Sequence, residues 1–313
     1  MTCIAVYSNV AGIGNTTLVY HLGHMLADLG KRVLLVDLDP QASLTSLCLP
    51  EERLEALWQG EPGQRATIVT DDAAFHVETM LPGLALVPGD LSLAREENPL
   101  ATAWIGALHH DQASAEVSSA LAFMLAGTAE AYHADFVLLD LGPSLDAINR
   151  VALLAAHYLL TPLAPSVQSL AGLQVLGSTL HDWSEKWAPV FAARPEVLAS
   201  LPAPLGYVVT QTGMRLSHPI PSYARWLARL PGAYRQAMHK GTGHPQSIAD
   251  DPECLGLIHH YAGLMPLALD ARKPMFDLRP ADGAIGSQMD SVQRCREDFE
   301  RLANQILTRT ADG

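Results

Sequence analysis

No apolar run in this 313-residue chain reaches the length that crosses a bilayer. There is no internal repeat and no low-complexity tract. The N-terminus has neither a basic start nor a small-residue cleavage site, because Met1 leads almost directly into an apolar run. A cytoplasmic protein without membrane attachment is therefore expected. The four cysteines (Cys3, Cys48, Cys254, Cys295) are far apart and make no paired spacing, which argues against zinc, an iron–sulfur cluster and a disulfide framework. Cys3 and Cys295 fall on apolar faces and are expected in the core. The pairs His109-His110 and His259-His260 do not revive a metal site, since adjacent side chains point away from each other on a helix or strand. Positive charge is also scarce: 20 Lys and Arg against 33 Asp and Glu give a formal charge of −13. That balance opposes general attraction to nucleic acid, itself a polyanion, and leaves room only for a local basic patch.

What is present is core-forming material, with 49% hydrophobic and 17% charged residues. Cys3–Tyr7 is a short apolar run that ends in a Gly-containing loop. Thr16 to Leu29 then places Leu18, Leu22, Met25, Leu26 and Leu29 on one helical stripe, with Gly30 as its stop. Val33–Val36 is apolar without alternation, the pattern of a parallel strand covered on both faces. Further strands are expected at 84–87, 136–139, 158–161 and 205–209, with helices near 114–132, 145–156 and 170–187. A closing amphipathic helix carries Ile285, Met289, Val292, Phe299, Leu302 and Ile306. Strands that alternate with helices predict a doubly wound, mostly parallel α/β sheet flanked by helices. One domain over 1–313 is expected, with a surface excursion at 49–80 and a helical insertion at about 211–263.

Strand, Gly-rich loop and a helix opened by Thr-Thr form a recipe for holding phosphate. Backbone N–H groups around Gly12 and Gly14 point inward, and the helix N-terminus adds partial positive charge. Gly12, Ile13, Gly14, Asn15, Thr16 and Thr17 are the candidate cradle, with the Thr16 hydroxyl a candidate Mg²⁺ ligand. Asp37 and Asp39 end the second strand and Asp140 ends the strand at 136–139. Ligand sites in open parallel sheets lie at those strand ends. The carboxylates suit a hydrated metal and an attacking water.

These motifs resemble the ParA/MinD family of P-loop proteins with a deviant Walker A loop. The resemblance rests on Asn9-Val-Ala-Gly-Ile-Gly-Asn-Thr-Thr17, Val36-Asp-Leu-Asp-Pro-Gln41, Leu139-Asp-Leu-Gly-Pro-Ser144 and Thr161-Pro-Leu-Ala-Pro165. Ala271-Arg-Lys-Pro-Met-Phe276 and Pro280–Gly286 extend it to the C-terminal region. It implies ATP or ADP with Mg²⁺ as cofactors, Asp39 as the group that orients water, and Asp37, Asp140 and Thr16 around the metal. It further implies adenine contacts from Thr210 and Pro266, a homodimer, non-specific DNA and a small DNA-binding adaptor as partners.

In that family the loop reads Lys-Gly-Gly-x-Gly-Lys-Thr-Thr. Here Val10 stands at the signature lysine, Asn15 at the Walker lysine and Ala11 at a glycine. A hydrogen bond to a charged group contributes about 1.5–3 kcal/mol, so Asn15 alone weakens binding about 10- to 100-fold. Hydrolysis suffers more, because that lysine stabilises charge growing on the transferred phosphoryl. The expectation is a partition or positioning protein with weakened or lost ATPase activity. The alternative is a non-hydrolysing pseudo-ATPase that serves as partner of an active relative. Arg95 and Arg150 are the candidate replacement cations. For DNA, 211–249 contains no Asp or Glu but carries Arg215, Arg225, Arg229, Arg235 and Lys240 with Tyr223, Trp226 and Tyr234 interleaved. The competing reading is a solvated insertion whose aromatics pack inward.

Overall fold

The computed structural model describes residues 1–60, 68, 74–193, 200–212, 214, 215, 218, 219, 221–241 and 247–311. Ten strands are found among them: β1 Thr2–Val6, β2 Val33–Asp37, β3 Glu78–Leu81, β4 Leu84–Val87, β5 Phe136–Asp140, β6 Tyr158–Leu163, β7 Ala203–Thr212, β8 Met214–Arg215, β9 His218–Pro219 and β10 Cys254–His259. The helices are α1 Asn15–Asp28, α2 Ser43–Cys48, α3 Glu51–Gln59, α4 Glu97–Leu108, α5 Gln112–Tyr132, α6 Ala147–Ala155, α7 Val167–Ala193, α8 Pro221–Leu227, α9 Leu230–His239, α10 Met265–Ala271 and α11 Ser287–Ala311.

Eight strands make one sheet in the order β10-β7-β6-β1-β5-β2-β4-β3. Every pairing is parallel except β3 with β4, which is antiparallel. The doubly wound parallel sheet expected from the apolar runs is therefore what forms. Side chains alternate across each strand, so β1 splits between two cores. Ile4 and Val6 face α1, α10 and α11, while Cys3, Ala5 and Tyr7 face α4 to α7 and α9. Burial on both faces is why β1, β2, β4 and β5 read as unbroken apolar runs.

Two segments differ from the sequence expectation. The insertion at 211–263 does hold α8 and α9, but Cys254–His259 is the edge strand β10, parallel to β7. Gly256 interrupts its apolar pattern and only Leu255 and Ile258 are fully buried, so its period is weak. The excursion at 49–80 contains α3 and the edge strand β3; residues 61–67 and 69–73 lie outside the described residues. Ile285 precedes α11 and is 66% exposed, whereas Val292, Cys295, Phe299, Leu302 and Ile306 form the buried face as expected.

Long side-chain bonds tie the layers together. His21, buried in α1, places Nδ1 2.8 Å from the Thr17 carbonyl, and its Nε2 accepts from the Met275 N–H at 3.0 Å. That pair of partners fixes the neutral Nδ1–H tautomer. The ring also stacks on Phe299 of α11, with centroids 5.1 Å apart. On the other face, α7 crosses α9 at Gly177, where an added Cβ would stand 2.4 Å from the Ala237 carbonyl oxygen. A glycine is what permits that approach.

Burial lowers the His21 pKa to about 4. The unfolded chain then binds more protons than the folded one between about pH 6.5 and 4, so this group's stabilisation is complete above pH 6.5 and is lost as pH falls. The loss is about 3 kcal/mol. His24, also lowered to about 4, adds in the same direction, while Asp37, raised to about 6, acts in the opposite one. Urea titrations of the unmodified chain and His21→Gln from pH 7.5 to 4.5 isolate the His21 share. The unmodified chain is expected to show the steeper acid loss.

Candidate nucleotide site

The loop between β1 and α1 turns through Gly12 (φ 74°) and Gly14 (φ 100°), left-handed conformations that favour glycine. Gly14 is the N-cap of α1, no side chain caps the helix, and its first turn holds no acidic residue. The amides and the helix dipole of that turn are thus directed at whatever anion sits over the loop. Asn15 folds back, its Nδ2 donating to the Ser8 carbonyl at 3.3 Å. Its Oδ1 is buried with no hydrogen-bond partner. Val10 rests against α7: a Cβ added to Gly172 would stand 2.5 Å from Val10 Cγ2 and 2.7 Å from Asn9 Oδ1.

The carboxylates converge as the strand ends demand. Asp37 and Asp140 are register partners on β2 and β5, and both are fully buried. Their surroundings differ. Asp37 Oδ2 accepts from Thr45 N (2.8 Å) and Thr45 Oγ1 (2.7 Å), and Oδ1 from Asp39 N (3.3 Å). Asp37 therefore shapes the β2–α2 loop, and Thr45 Oγ1 passes the network on by accepting from Gly89 N at 2.8 Å. Asp140 has neither oxygen hydrogen-bonded. Burial first, and then the Asp37 charge, push its pKa well above the carboxylate range; the nearby Thr16 side chain offsets part of this without closing a hydrogen bond. Asp39 is half-buried, accepts from Gln41 N at 2.9 Å and packs against Gly142.

An unpartnered buried carboxylate beside a threonine hydroxyl, at the mouth of a phosphate cradle, fits a hydrated divalent cation. Among the described residues no group of three or more His, Cys, Asp or Glu side chains has metal-holding spacing. A cation here would rest on Thr16, Asp140, water and phosphate oxygens together.

Beside the loop opens a cavity of about 480 Å³. Ile13, Leu18, Ile258, Met265, Leu269 and Phe299 supply its apolar walls, and Thr210 and Pro266 also line it. Thr210 Oγ1 donates to the Ile13 carbonyl at 2.9 Å, locking the tip of β7 to the loop. A flat aromatic base suits such walls. Among the described residues no Lys or Arg lines this cavity. His259 also lines it, and sequence reasoning gave it no role. Its Nδ1 lies 2.7 Å from Asp298 Oδ2, which also accepts from Tyr261 OH at 2.7 Å. The partner Asp298 is 39 residues away on α11, so no local spacing signals the pair.

Neither candidate replacement cation reaches the cavity. Arg150 lies beside the Trp104–Trp183 pair, its guanidinium carbon 5.7 and 5.8 Å from the ring centroids, and its Nε donates to the Leu145 carbonyl. Arg95 is exposed at the end of the short 3₁₀ helix Leu91–Arg95. The basic insertion divides. Arg225 and Arg229 are exposed and flank Trp226 at 4.6 and 5.3 Å, and Lys240 is exposed after α9. Arg235 instead faces the buried Asp251 at 3.8 Å, and Tyr234 is buried against Tyr207. Arg215 falls on β8, and its side chain lies outside the described residues.

A family profile described as an AAA domain matches residues 1–191. The chain is 30% identical over 314 aligned residues to a probable plasmid-partitioning protein ParA of Thermus thermophilus, covering 97% of this chain and 77% of that protein. It is 31% identical over 184 residues to the chromosome partitioning protein ParA of Caulobacter vibrioides, covering 57% of this chain. That match spans only 61% of the Caulobacter protein. A crystal structure of a Corynebacterium diphtheriae protein superposes with a TM-score of 0.73 at 18% identity, covering 99% of each chain, which shows the shared fold.

If Asp140 is kept for a cation, it is a liability without one. Asp140→Asn removes a buried charge beside Asp37 and is expected to stabilise the metal-free protein by about 1–2 kcal/mol. The same change is expected to abolish any rise in melting temperature on adding Mg²⁺ with ADP. Thermal melts in chelator and in Mg²⁺–ADP check both halves.

Proposed function

The chain belongs to the ParA/MinD family of P-loop proteins, and from that membership and the site geometry we propose that it is a partition or positioning protein. In this reading it binds ATP or ADP with Mg²⁺, and its hydrolytic step is weakened or lost. The observation that carries this reading is the pairing of an intact cradle with two unpartnered buried groups, Asn15 Oδ1 and the Asp140 carboxylate. The cradle supports phosphate binding; the neutral Asn15 supports poor catalysis.

The roles follow from positions. Backbone N–H groups from Gly12 to Thr17 hold the phosphates, and the cavity beside Thr210 and Pro266 takes the base. Thr16 and Asp140 take the hydrated cation, and Asp37, bound to Thr45, positions the loop that carries Asp39. Asp39 is left to orient a water. When bound, Mg²⁺ would neutralise phosphate charge and polarise the bond to be cleaved. With no lysine, nothing on this chain's loop matches the charge that develops on the transferred group.

The partners proposed are a second copy of the chain, DNA held non-specifically, and a small DNA-binding adaptor, in the cytoplasm. Arg225, Arg229 and Lys240 support the DNA reading, being exposed cations with an indole between the first two. The rival reading, a pseudo-ATPase that regulates or scaffolds an active relative, is favoured by the same Asn15 and by Val10 packed on α7.

Equilibrium binding of ATP and ADP with Mg²⁺, run beside phosphate release, separates these readings. Asn15→Lys is expected to tighten binding about 10- to 100-fold, and Val10→Lys/Asn15→Lys to raise turnover further. Turnover by the unmodified chain equal to that of the double variant would sink the weakened-site reading. Binding without turnover favours the pseudo-ATPase.

A further inference from the structure

Two cavities reach the first turn of α1, and among the described residues only the smaller brings basic side chains to it. That cavity, of about 220 Å³, is lined by Thr17, Tyr20, Ser46, Arg272 and Lys273 among others. It shares Thr17, Met265 and Leu269 with the 480 Å³ cavity, so α10 separates the two and Thr17 belongs to both. Lys273 is already neutralised, with Nζ 2.8 Å from each oxygen of Asp282. Arg272 is not. One of its nitrogens donates to the Leu49 carbonyl at 2.6 Å, and it has no carboxylate within 4.0 Å among the described residues. A guanidinium has five N–H donors, so most of its capacity is left for a ligand.

The backbone supports a purpose for this side chain. Arg272 caps α10 at φ 49°, a left-handed position where glycine is the usual occupant. Arg272 is exposed, lines the cavity and is anchored at one nitrogen by Leu49; a guanidinium fork matches phosphate oxygens.

We propose that Arg272 supplies the positive charge the phosphate loop lacks, by binding the phosphate chain of a nucleotide whose base lies in the larger cavity. This rests on the nucleotide reading above and names the residue that makes it workable. The cation arrives from a position 257 residues beyond Asn15 in sequence, by the arithmetic 272 − 15. It arrives at Thr17, on the base side of the loop, not at Asp140. Its contribution is therefore to hold nucleotide, and it gives no help to transfer of the terminal phosphoryl. A site built this way retains affinity while hydrolysis stays slow.

Calorimetric titration of adenosine, AMP and ADP with Mg²⁺ tests the assignment on the full chain, on Arg272→Gln, on Arg272→Lys and on Arg272→Gln/Asn15→Lys. Arg272→Gln is expected to weaken AMP and ADP about 10- to 100-fold and to leave adenosine unchanged. Arg272→Lys should keep most of the affinity, and Asn15→Lys should restore ADP binding in the Gln background. Because Arg272 also anchors the C-terminal end of α2 through Leu49, Ser46→Asp provides a second variant. It sets a competing carboxylate in the same cavity without touching that anchor and should weaken ADP alone. Equal losses for adenosine and ADP would mean a packing role and overturn the proposal, as would ADP binding unmoved in Arg272→Gln or Ser46→Asp. If the unmodified chain binds neither adenosine nor ADP, the nucleotide reading itself fails and this inference falls with it.

Discussion

Asp140 sits fully buried at the end of β5, in register with a second buried carboxylate on β2, beside Thr16 but with no hydrogen bond closed to either oxygen among the described residues. Folding places it there regardless of cost, because parallel strands bring their C-terminal ends to one edge. Two carboxylates at that edge repel and are deprived of water. The loop around them answers half of the problem. Thr45 satisfies Asp37 with its amide and hydroxyl, and the same hydroxyl holds Gly89. Asp140 receives no such bond among the described residues. Around this imbalance the phosphate loop, the Thr16 hydroxyl and the water-side Asp39 are arranged.

Val10 and Asn15 stand at the two positions where the family's loop carries lysine. Asn15 closes onto Ser8, and Val10 lies on Gly172 of α7, so each replaced lysine has become part of the loop's packing. α7 also makes the close crossing of Gly177 with α9, while its first residues, Val167 and Gln168, line a cavity together with Arg225 and Trp226. The same helix thus touches the nucleotide loop, α9 and the basic surface.

Much of the fold was legible because its central strands are buried on both faces. Unbroken runs such as Val33–Val36 and Phe136–Leu139 have few other interpretations. The loop and its carboxylates were legible for a related reason, since strand, glycines and hydroxyls must be contiguous to cradle phosphate. The edge strand β10 was not, because four of its six residues are only partly buried and Gly256 breaks the run. Arg235 looked like a surface cation in a basic segment, yet it faces Asp251, sixteen positions further on by 251 − 235. Trp104 and Trp183, against which Arg150 lies, gave no sign of it either, since they lie on α4 and α7 with no common period.

The sequence by itself determined the sheet class, the phosphate cradle, the acidic strand ends and the absence of lysine from the loop. Each depends on residues adjacent or periodic along the chain, and local chemistry is enough to read them. Tertiary structure alone decided which charges meet. It gave Asp37 a hydrogen-bond partner and denied one to Asp140, laid Arg150 against two tryptophans, paired His259 with Asp298, and brought Arg272 to the cavity at Thr17. Those contacts join residues tens to hundreds of positions apart. They are fixed by strand order and helix packing, which no local pattern encodes.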